Sequence, residues 1–265
     1  MSAADVRRAA EAIRAGSAAR HLLLFSDFDG TLCEFRVDPQ SVRLSDARRL
    51  LLESIGTSGN ATVAIVSGRR LDDVRARADL TLPAYYAGLH GLEIAGPDGV
   101  FRHPDVDGTV ALVHQLVRSL TAAVAGLHGV FIEDKELSLV THYRDASPAD
   151  AERAVDTVSR LVRSHIDAGR LRVMQGSGML EFLPDIPWHK GSAVEWIIDK
   201  VSRRHHNPWP VYIGDDVTDQ DAFGALRGRG LSIAAAPRAT GAEISLDGPR
   251  EVEDLLRSLT DVASG

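Results

Sequence analysis

The sequence predicts an α/β protein in which a doubly wound parallel sheet is interrupted by an inserted α+β domain. In its first half, short apolar segments alternate with amphipathic ones, which is typical of βαβ units around a parallel sheet. From about Asp107 the order changes to helix, two strands, helix, two strands, a pattern that favours a helix layer on an antiparallel sheet. Past Pro184 the first rhythm returns. One sheet that is left and then resumed explains this order.

The elements of the first half are separated by glycines and polar residues. A helix is expected through about Arg14, followed by a strand at Leu22–Phe25 that is apolar throughout and therefore buried on both faces. The next elements are a helix near Ser45–Ile55, a strand at Thr62–Val66, a helix near Leu71–Ala78 and a strand at Ala84–Ala87. Gly96-Pro97-Asp98-Gly99 then predicts a hairpin between Leu92–Ile94 and Val100–Arg102.

The inserted region contains two helices with apolar stripes that we expect to form its core. The first stripe is Leu112, Val113, Leu116, Val117 and Leu120, and the second is Ala151, Val155, Val158, Leu161 and Val162. Ser147, Pro148 and Asp150 indicate the start of the second helix, as a cap, a first residue and a capping partner. Four strands complete the unit: Val130–Glu133, Leu137–Tyr143, Leu171–Gln175 and Met179–Leu183.

After Pro184 the resumed alternation completes the sheet of the first half. The elements are a helix at Gly191–Ser202, a strand at Val211–Ile213, a helix at Asp219–Leu226, a strand at Leu231–Ala234 and a helix at Glu251–Leu259. The expected division is a Rossmann-like core over residues 1–106 and 184–265, with the inserted α+β domain over residues 107–183.

Composition excludes several classes of function. The chain of 265 residues is 44% hydrophobic and 25% charged, as expected of a globular protein, and it contains no apolar stretch long enough to span a membrane. A net charge of −7 offers no general attraction to nucleic acid. The single cysteine, Cys33, excludes an internal disulfide framework. We expect a cytoplasmic protein, monomeric or weakly oligomeric, with no nucleic-acid or membrane partner.

Two aspartates, Asp27 and Asp29, follow the strand Leu22–Phe25 at its carboxyl end. Ligands of open α/β sheets bind beyond the carboxyl ends of strands. Because alternate residues of an extended chain point to the same side, both carboxylates can reach one substrate, one to attack and the other to move a proton. The structural alternative is an ordinary turn at Asp29 and Gly30.

The next strand along the chain ends in Ser67-Gly68-Arg69, which places a hydroxyl, a flexible backbone and a helix N-terminus at the same sheet edge. This combination is typical of an anion site, although Ser67 also suits a simple helix cap. Lys190 opens the helix that follows the inserted region, where a point cation could serve a phosphoryl group or only decorate the surface.

A third strand end is crowded with acids. Asp215, Asp216 and Asp219 lie within five residues after Val211–Ile213, and such crowding is repulsive unless a cation offsets it. A hard ion that prefers oxygen ligands, such as Mg²⁺, is the economical explanation, because it uses one or two carboxylates together with substrate phosphate. Helix capping by Asp216 or Asp219 is the structural alternative, which could explain one acid but hardly three.

In combination and order, these motifs resemble those of the haloacid-dehalogenase superfamily of phosphatases. More specific segments are similar to trehalose-6-phosphate phosphatases, and the resemblance covers about residues 21–256. These segments are Ala87-Gly88-Leu89-His90-Gly91-Leu92-Glu93, Glu133-Asp134-Lys135 with His142-Tyr143-Arg144, and Gly214 through Phe223.

The resemblance implies a role for each matching residue. Asp27 would be the nucleophile that forms an aspartyl-phosphate, Asp29 the general acid and base, and Ser67 and Lys190 the groups that hold the phosphoryl oxygens. Mg²⁺ would be bound by Asp27, the Asp29 carbonyl and Asp215, with Asp216 and Asp219 in support. The inserted domain would be a cap over the sugar. The implied substrate-binding residues are Gly68, Arg69, His90, Glu133, Lys135, Arg144 and Glu181.

Two departures from the family pattern concern the sugar. Ser177 and Leu183 stand where the family has basic residues, and the loss of two donors from a polar sugar site can change its discrimination. The resemblance favours trehalose 6-phosphate as the substrate. A pseudodisaccharide phosphate of the validoxylamine type, or another glycosyl phosphate, is the alternative.

Two readings without phosphatase activity are weaker. A receiver-like signalling domain needs neither Asp29 nor an inserted domain, and an inactive sugar-phosphate sensor would have lost an essential group, whereas all are present. A phosphomutase is compatible with the motifs, but nothing in the sequence favours it.

Overall fold

The computed structural model describes residues 3–36, 38–135, 137–236 and 241–260. Its α-helices are α1 Ala3–Ser17, α2 Asp46–Thr57, α3 Leu71–Ala78, α4 Asp107–Val124, α5 Pro148–Asp167, α6 Lys190–Ser202, α7 Gln220–Leu226 and α8 Pro249–Thr260. Its strands are β1 Leu22–Ser26, β2 Ala61–Val66, β3 Tyr85–Gly88, β4 Glu93–Gly96, β5 Gly99–Arg102, β6 Phe131–Asp134, β7 Leu139–His142, β8 Leu171–Gly176, β9 Met179–Pro184, β10 Trp209–Gly214, β11 Leu231–Ala234 and β12 Ile244–Ser245.

The chain divides into two compact units. The first unit comprises Met1–Phe101 and Trp188–Gly265, and the second unit comprises Arg102–Pro187. No helix among the described residues is long and apolar enough to cross a membrane.

The first unit is built on an eight-stranded sheet with the strand order β12-β11-β10-β1-β2-β3-β4-β5. Strand β1 lies in its middle and pairs in parallel with β10 on one side and β2 on the other. Consecutive residues of β1 point into two separate cores on opposite faces of the sheet. Leu24 packs among residues of α1, α2, α3 and α8, and Phe25 packs among residues of α6 and α7. Helices therefore cover both faces of the sheet, and the predicted doubly wound α/β class is confirmed.

The second unit is a four-stranded antiparallel sheet, β6-β7-β9-β8, covered on one face by α4 and α5. Ile132, Leu139, Leu180 and Phe182 point into the core beneath the helices. Because side chains of a strand alternate between the two faces, Phe131, Glu133, His142 and Glu181 share the opposite face. We call this side of the sheet, which α4 and α5 do not cover, the open face. The predicted α+β fold of the inserted region is confirmed.

Three details differ from the sequence-based expectations. Leu161 was expected in the core of α5, but 42% of it is exposed, because the buried face of the helix is centred on Ala154, Val158 and Val162. A helix was expected to start at Asp219, but a 3₁₀ turn at Val217–Asp219 precedes α7. The two-residue strand β12 was not expected, since so short an element leaves no periodic pattern.

Candidate functional site

Three polar residues follow three adjacent parallel strands at one edge of the first unit's sheet. Asp27 comes after β1, Ser67 after β2 and Asp215 after β10. The amide of Asp27 still donates to the carbonyl oxygen of Ile213 at 2.8 Å, which continues the pairing of β1 with β10 for one residue. The carboxylate of Asp27 is thereby held beside the end of β10, where the late acidic segment begins.

Lys190 joins two of the acids. As the first residue of α6 it is positioned by His189, whose ring accepts a hydrogen bond from the amide of Ser192 and so caps the helix. Its Nζ donates to Oδ1 of Asp27 at 2.6 Å and to Oδ1 of Asp219 at 2.7 Å. Burial alone would lower the pKa of Lys190, but the charges of Asp219 and Asp27 outweigh it and raise that pKa above its ordinary value. The buried ammonium group therefore stays charged.

Asp219 is a fully buried hub of hydrogen bonds. Its Oδ1 accepts from Lys190 and from the hydroxyl of Tyr212 at 2.7 Å, and its Oδ2 accepts from the amides of Asp215 and Asp216, both at 3.0 Å. Burial, with the charge of Asp219 next, raises the pKa of Tyr212, so its hydroxyl remains a donor. Four accepted hydrogen bonds are the full complement of a carboxylate. Asp219 thus fixes both Lys190 and the backbone of the acidic turn.

Asp27, Asp215 and Asp219 form a buried acidic cluster that can hold a metal ion. One carboxylate oxygen of each residue lies within 4.8 Å of those of the other two, which concentrates negative charge in a small buried volume. Burial raises the pKa of Asp27 well above its ordinary value; Lys190 opposes the rise, and the charges of Asp219 and Asp215 add to it. A second positive charge would remove this repulsion, and the all-oxygen donor set suits a hard divalent cation.

The turn after β1 presses its backbone against Asp215. Gly30 has φ +90°, and a Cβ atom on it would lie 2.3 Å from Oδ2 of Asp215. The neighbouring Thr31 donates its hydroxyl to Oδ1 of Asp215 at 3.0 Å. Glycine and threonine at these two positions therefore set where the Asp215 carboxylate can lie.

Asp29 and Arg69 form a two-pronged ion pair. Nε of Arg69 donates to Oδ2 of Asp29 at 2.6 Å, and its terminal nitrogen donates to Oδ1 at 2.7 Å. The same guanidinium also contacts Asp73 and the carbonyl oxygen of Pro39. Arg69 was expected among the substrate-binding residues; in this structure its donors go to protein acceptors, and it holds the Asp29 side chain in place.

Ser67, Gly68 and His90 lie together at the end of β2. The Ser67 hydroxyl accepts from the amide of Arg69 at 3.1 Å, and its carbonyl accepts from the amide of His90 at 3.0 Å. The His90 ring lies so close to Gly68 that a Cβ there would be 3.0 Å from two ring atoms. Leu89 and His90 have φ of +51° and +57°, an uncommon backbone conformation that is enriched at functional sites.

In the second unit, the expected sugar-binding residues fall into two places. Glu133, Lys135 and Glu181 are neighbours on or beside the open face: Nζ of Lys135 lies 3.3 Å from Oε1 of Glu181, and the same oxygen accepts from the hydroxyl of Ser138 at 2.9 Å. Arg144, which follows β7, instead donates to the carbonyl oxygen of Ser177 in the turn between β8 and β9.

The two departures from the family pattern also differ in setting. Ser177 lies in that exposed turn, whereas Leu183 is a buried residue of β9, with 1% of its surface exposed. On β9 it follows Phe182, which points beneath the helices, and therefore projects from the same side of the sheet as Glu181.

Sequence reasoning missed the groups that hold the acids. Tyr212, Thr31 and Ser138 each place a hydroxyl on a carboxylate, and His142 contacts Glu133. Three of these residues lie within or next to segments singled out in the sequence: Thr31, Tyr212 and His142. The spacing of residues along the chain does not determine which carboxylate each of them contacts. Only the pairing of distant strands and turns determines that.

Comparison with protein families matches residues 25–246 to the family described as trehalose-phosphatase. Two proteins called trehalose-phosphate phosphatase are similar in sequence. The protein of Mycolicibacterium paratuberculosis is 34% identical over 256 residues, which cover 93% of this chain and 64% of that protein. The protein of Mycobacterium ulcerans is 34% identical over 248 residues, 91% of this chain and 62% of its own length. The chain thus spans slightly less than two thirds of these relatives.

Solved structures share the fold. The C-terminal domain of the Candida albicans trehalose-6-phosphate phosphatase superposes with a TM-score of 0.76 at 20% identity, covering 95% of this chain and 96% of that one. A haloacid dehalogenase-like hydrolase from Bacteroides thetaiotaomicron gives a TM-score of 0.62 at 15% identity, covering 90% and 99%. At such identities the likeness concerns architecture alone.

Proposed function

Because this chain belongs to the trehalose-phosphatase family, we propose that it hydrolyses a sugar phosphate, with trehalose 6-phosphate as its substrate. The observation that carries the proposal is the buried cluster of Asp27, Lys190, Asp215 and Asp219 at the edge of the sheet. It combines a carboxylate that can attack, a fixed cation, and two further acids that need a counter-charge.

The proposed reaction consists of two displacements at phosphorus. Asp27 attacks the phosphorus atom and the bond to the sugar oxygen breaks, which leaves an aspartyl-phosphate and an alkoxide; the alkoxide takes the proton that Asp29 carries when it enters this step in its acid form. Asp29 then removes a proton from water, which attacks the same phosphorus and frees Asp27. Lys190 and Ser67 hold the phosphoryl oxygens, and Arg69 orients Asp29. Positioning and charge supply most of the rate in phosphoryl transfer.

We also propose that the acidic cluster takes Mg²⁺ through Asp27, Asp215 and the carbonyl of Asp29, supported by Asp216 and Asp219. The full set of hydrogen bonds accepted by Asp219 supports a holding role for that residue. When bound, Mg²⁺ would neutralise charge on the phosphoryl oxygens and on the crowded acids.

The second unit is proposed to be the cap that recognises the sugar, as expected for the inserted domain over residues 107–183. Glu133, Lys135 and Glu181 bring hydroxyl-binding groups together on or beside one face of its sheet. The other proposed substrate contacts lie in two places. Gly68, Arg69 and His90 are at the end of β2, and the side chain of Arg144 is at the turn between β8 and β9.

Replacement of the nucleophile tests the proposal. Asp27→Asn should lower phosphate release by several orders of magnitude, since a neutral amide cannot form the acyl phosphate. Asp221→Asn is the matched control, because Asp221 is exposed in the first turn of α7, outside the cluster. Steady phosphate release by a folded Asp27→Asn protein would show that Asp27 is not the nucleophile.

A second substrate class is favoured by Leu183 and Ser177, which remove two cations from the family pattern. A pseudodisaccharide phosphate of the validoxylamine type, or another glycosyl phosphate, is the second candidate. A phosphate-release panel of trehalose 6-phosphate, sucrose 6-phosphate, glucose 6-phosphate and a pseudodisaccharide phosphate decides between them. Poor kcat/KM for trehalose 6-phosphate beside a better substrate would reject the first choice.

A further inference from the structure

His142 and Glu133 form a pair on the open face of the second unit. Nε2 of His142, on β7, lies 2.8 Å from Oε2 of Glu133, on the neighbouring strand β6. Phe131 lies directly opposite His142 in the register, and its ring stacks on the imidazole with centroids 4.4 Å apart and planes 15° apart. Phe131 remains 53% exposed, so an apolar ring borders the pair.

The pair keeps Glu133 charged. Burial alone would raise the pKa of Glu133, but the hydrogen bond from His142 and the charge of Lys135 outweigh it, and the pKa falls below its ordinary value. A carboxylate that is both charged and fixed is a strong acceptor for hydroxyl groups.

The two carboxylates of this face are anchored by different groups. Glu181 is held by Ser138 and Lys135. Glu133 is held by His142, and the like charge of Glu181 repels the carboxylate of Glu133. Loss of His142 would therefore leave Glu133 next to a like charge without the contact that fixes its direction.

We propose that His142 is a positioning residue for sugar recognition, which holds the Glu133 carboxylate toward a ring bearing adjacent hydroxyls while Phe131 keeps the imidazole in place. The proposal rests on the proposed function and deepens it, because it names a group that acts on the substrate only through Glu133. A pyranose suits this face, since it carries hydroxyls at its rim for the carboxylates and C–H groups that can pack on the exposed Phe131 ring.

Steady-state kinetics of the full chain provide the first test. His142→Ala should raise KM for trehalose 6-phosphate, or for the best substrate of the panel, about tenfold, as loss of a charge-assisted contact predicts, with kcat within about twofold. Hydrolysis of p-nitrophenyl phosphate, which has no sugar, should not change. His142→Gln, which keeps a side-chain N–H donor, should recover most of the loss. An unchanged KM in His142→Ala would overturn the proposal.

A matched control and a double variant separate positioning from general damage. His114→Ala removes another histidine of the same unit that lies near a carboxylate, with Nε2 3.8 Å from Asp134, and should leave KM unchanged. His142→Ala added to Glu133→Gln should be no worse than Glu133→Gln alone, because His142 acts through Glu133. Additive losses would overturn the positioning role. If His142→Ala fails to fold, Phe131→Leu replaces it, with a smaller rise in KM expected and an unchanged KM overturning the proposal.

Calorimetry distinguishes failure of this inference from failure of the proposed function. With each variant placed in an Asp27→Asn background, binding of the same sugar phosphate is measured without turnover. If the unmodified chain binds the sugar phosphate but releases no phosphate, the proposed function fails, and weaker binding by His142→Ala still supports the positioning role. Equal binding with and without His142, or no binding by any variant, overturns the inference.

Discussion

At the scale of single residues, the acid cluster depends on Gly30 having no side chain. Asp215 occupies the space that a Cβ at Gly30 would need, and its carboxylate is one of three that share a small buried volume. The hydroxyl of Thr31 also holds Asp215, and the hydroxyl of Tyr212 holds Asp219. Groups that orient metal ligands matter for affinity, so a displaced Asp215 carboxylate would hold a shared cation less tightly.

Gly30→Ala should therefore reduce phosphate release at limiting Mg²⁺ by at least about tenfold, as disturbed support of metal ligands does elsewhere. Gly59→Ala is the matched control: Gly59 also has positive φ, +81°, but nothing lies within 4 Å of an added Cβ. Both changes should destabilise the fold by about 1 to 2 kcal/mol through the backbone alone. Equal activity of the two variants in a magnesium titration would contradict this account of Gly30.

At the scale of secondary-structure elements, arginines hold the loop that follows Asp27 against α2 and α3. Arg77 donates to the carbonyl oxygens of Gln40 and Val42, and Arg69 donates to that of Pro39. Arg48, on α2, donates to Leu32 and to Glu34. Asp73 accepts hydrogen bonds from Arg69, which precedes α3, and from Arg77 on α3, so one carboxylate aligns both guanidinium groups.

Asp73→Asn should lower the free energy of unfolding at pH 7 by about 1 kcal/mol, a small value because a third of this side chain is exposed. Burial would raise the pKa of Asp73, but hydrogen bonds from Arg77 and Arg69 outweigh it and lower that pKa. The stabilisation by Asp73 is then present above its unfolded pKa of about 3.9, and it is lost as the pH falls through the lower pKa of the folded protein.

Chemical denaturation at several pH values checks the expectation for Asp73. The difference between the wild-type protein and Asp73→Asn should shrink below about pH 4. Asp72→Asn is the control, since Asp72 is exposed in the same first turn of α3. A constant difference down to pH 2.5 would assign the effect to packing rather than to charge.

Most elements were predictable because their patterns are local. The apolar run of β1, the cap of α5 and the stripe of α4 each lie within one segment, and the structure has them at or near the predicted residues. The stripe of α5 failed at Leu161 because the width of a buried face depends on what packs against it. Tyr212 and His142 were missed for a related reason, since their partners are fixed by strand pairing and turn geometry.

At the scale of the whole molecule, the first unit is interrupted at a single place. Phe101 and Trp188, the residues on either side of the second unit, stack within the first unit with ring centroids 5.2 Å apart. All eight strands of the large sheet except the end of β5 lie outside the interruption. The first unit thus has its own sheet and both of its cores without residues 102–187.

A chain in which a short Gly-Ser linker replaces residues 102–187 should fold and hydrolyse p-nitrophenyl phosphate. Its kcat/KM for sugar phosphates should fall by about a hundredfold or more, toward that of an unselective phosphatase, because the proposed hydroxyl contacts are gone. Circular dichroism and phosphate release on both substrates check this. An unfolded product would show that the first unit depends on the second for stability.

The anchor of Trp188 has a consequence for how this protein can change over evolutionary time. Trp188 lies two residues before Lys190, and its indole nitrogen donates to the carbonyl oxygen of Gly91 at 2.7 Å. The segment that leaves the second unit after β9 is therefore tied to the first unit before the chain reaches Lys190. Substitutions or insertions within the second unit need not displace Lys190, so the proposed sugar selectivity can diverge while the acidic cluster and its lysine are inherited unchanged.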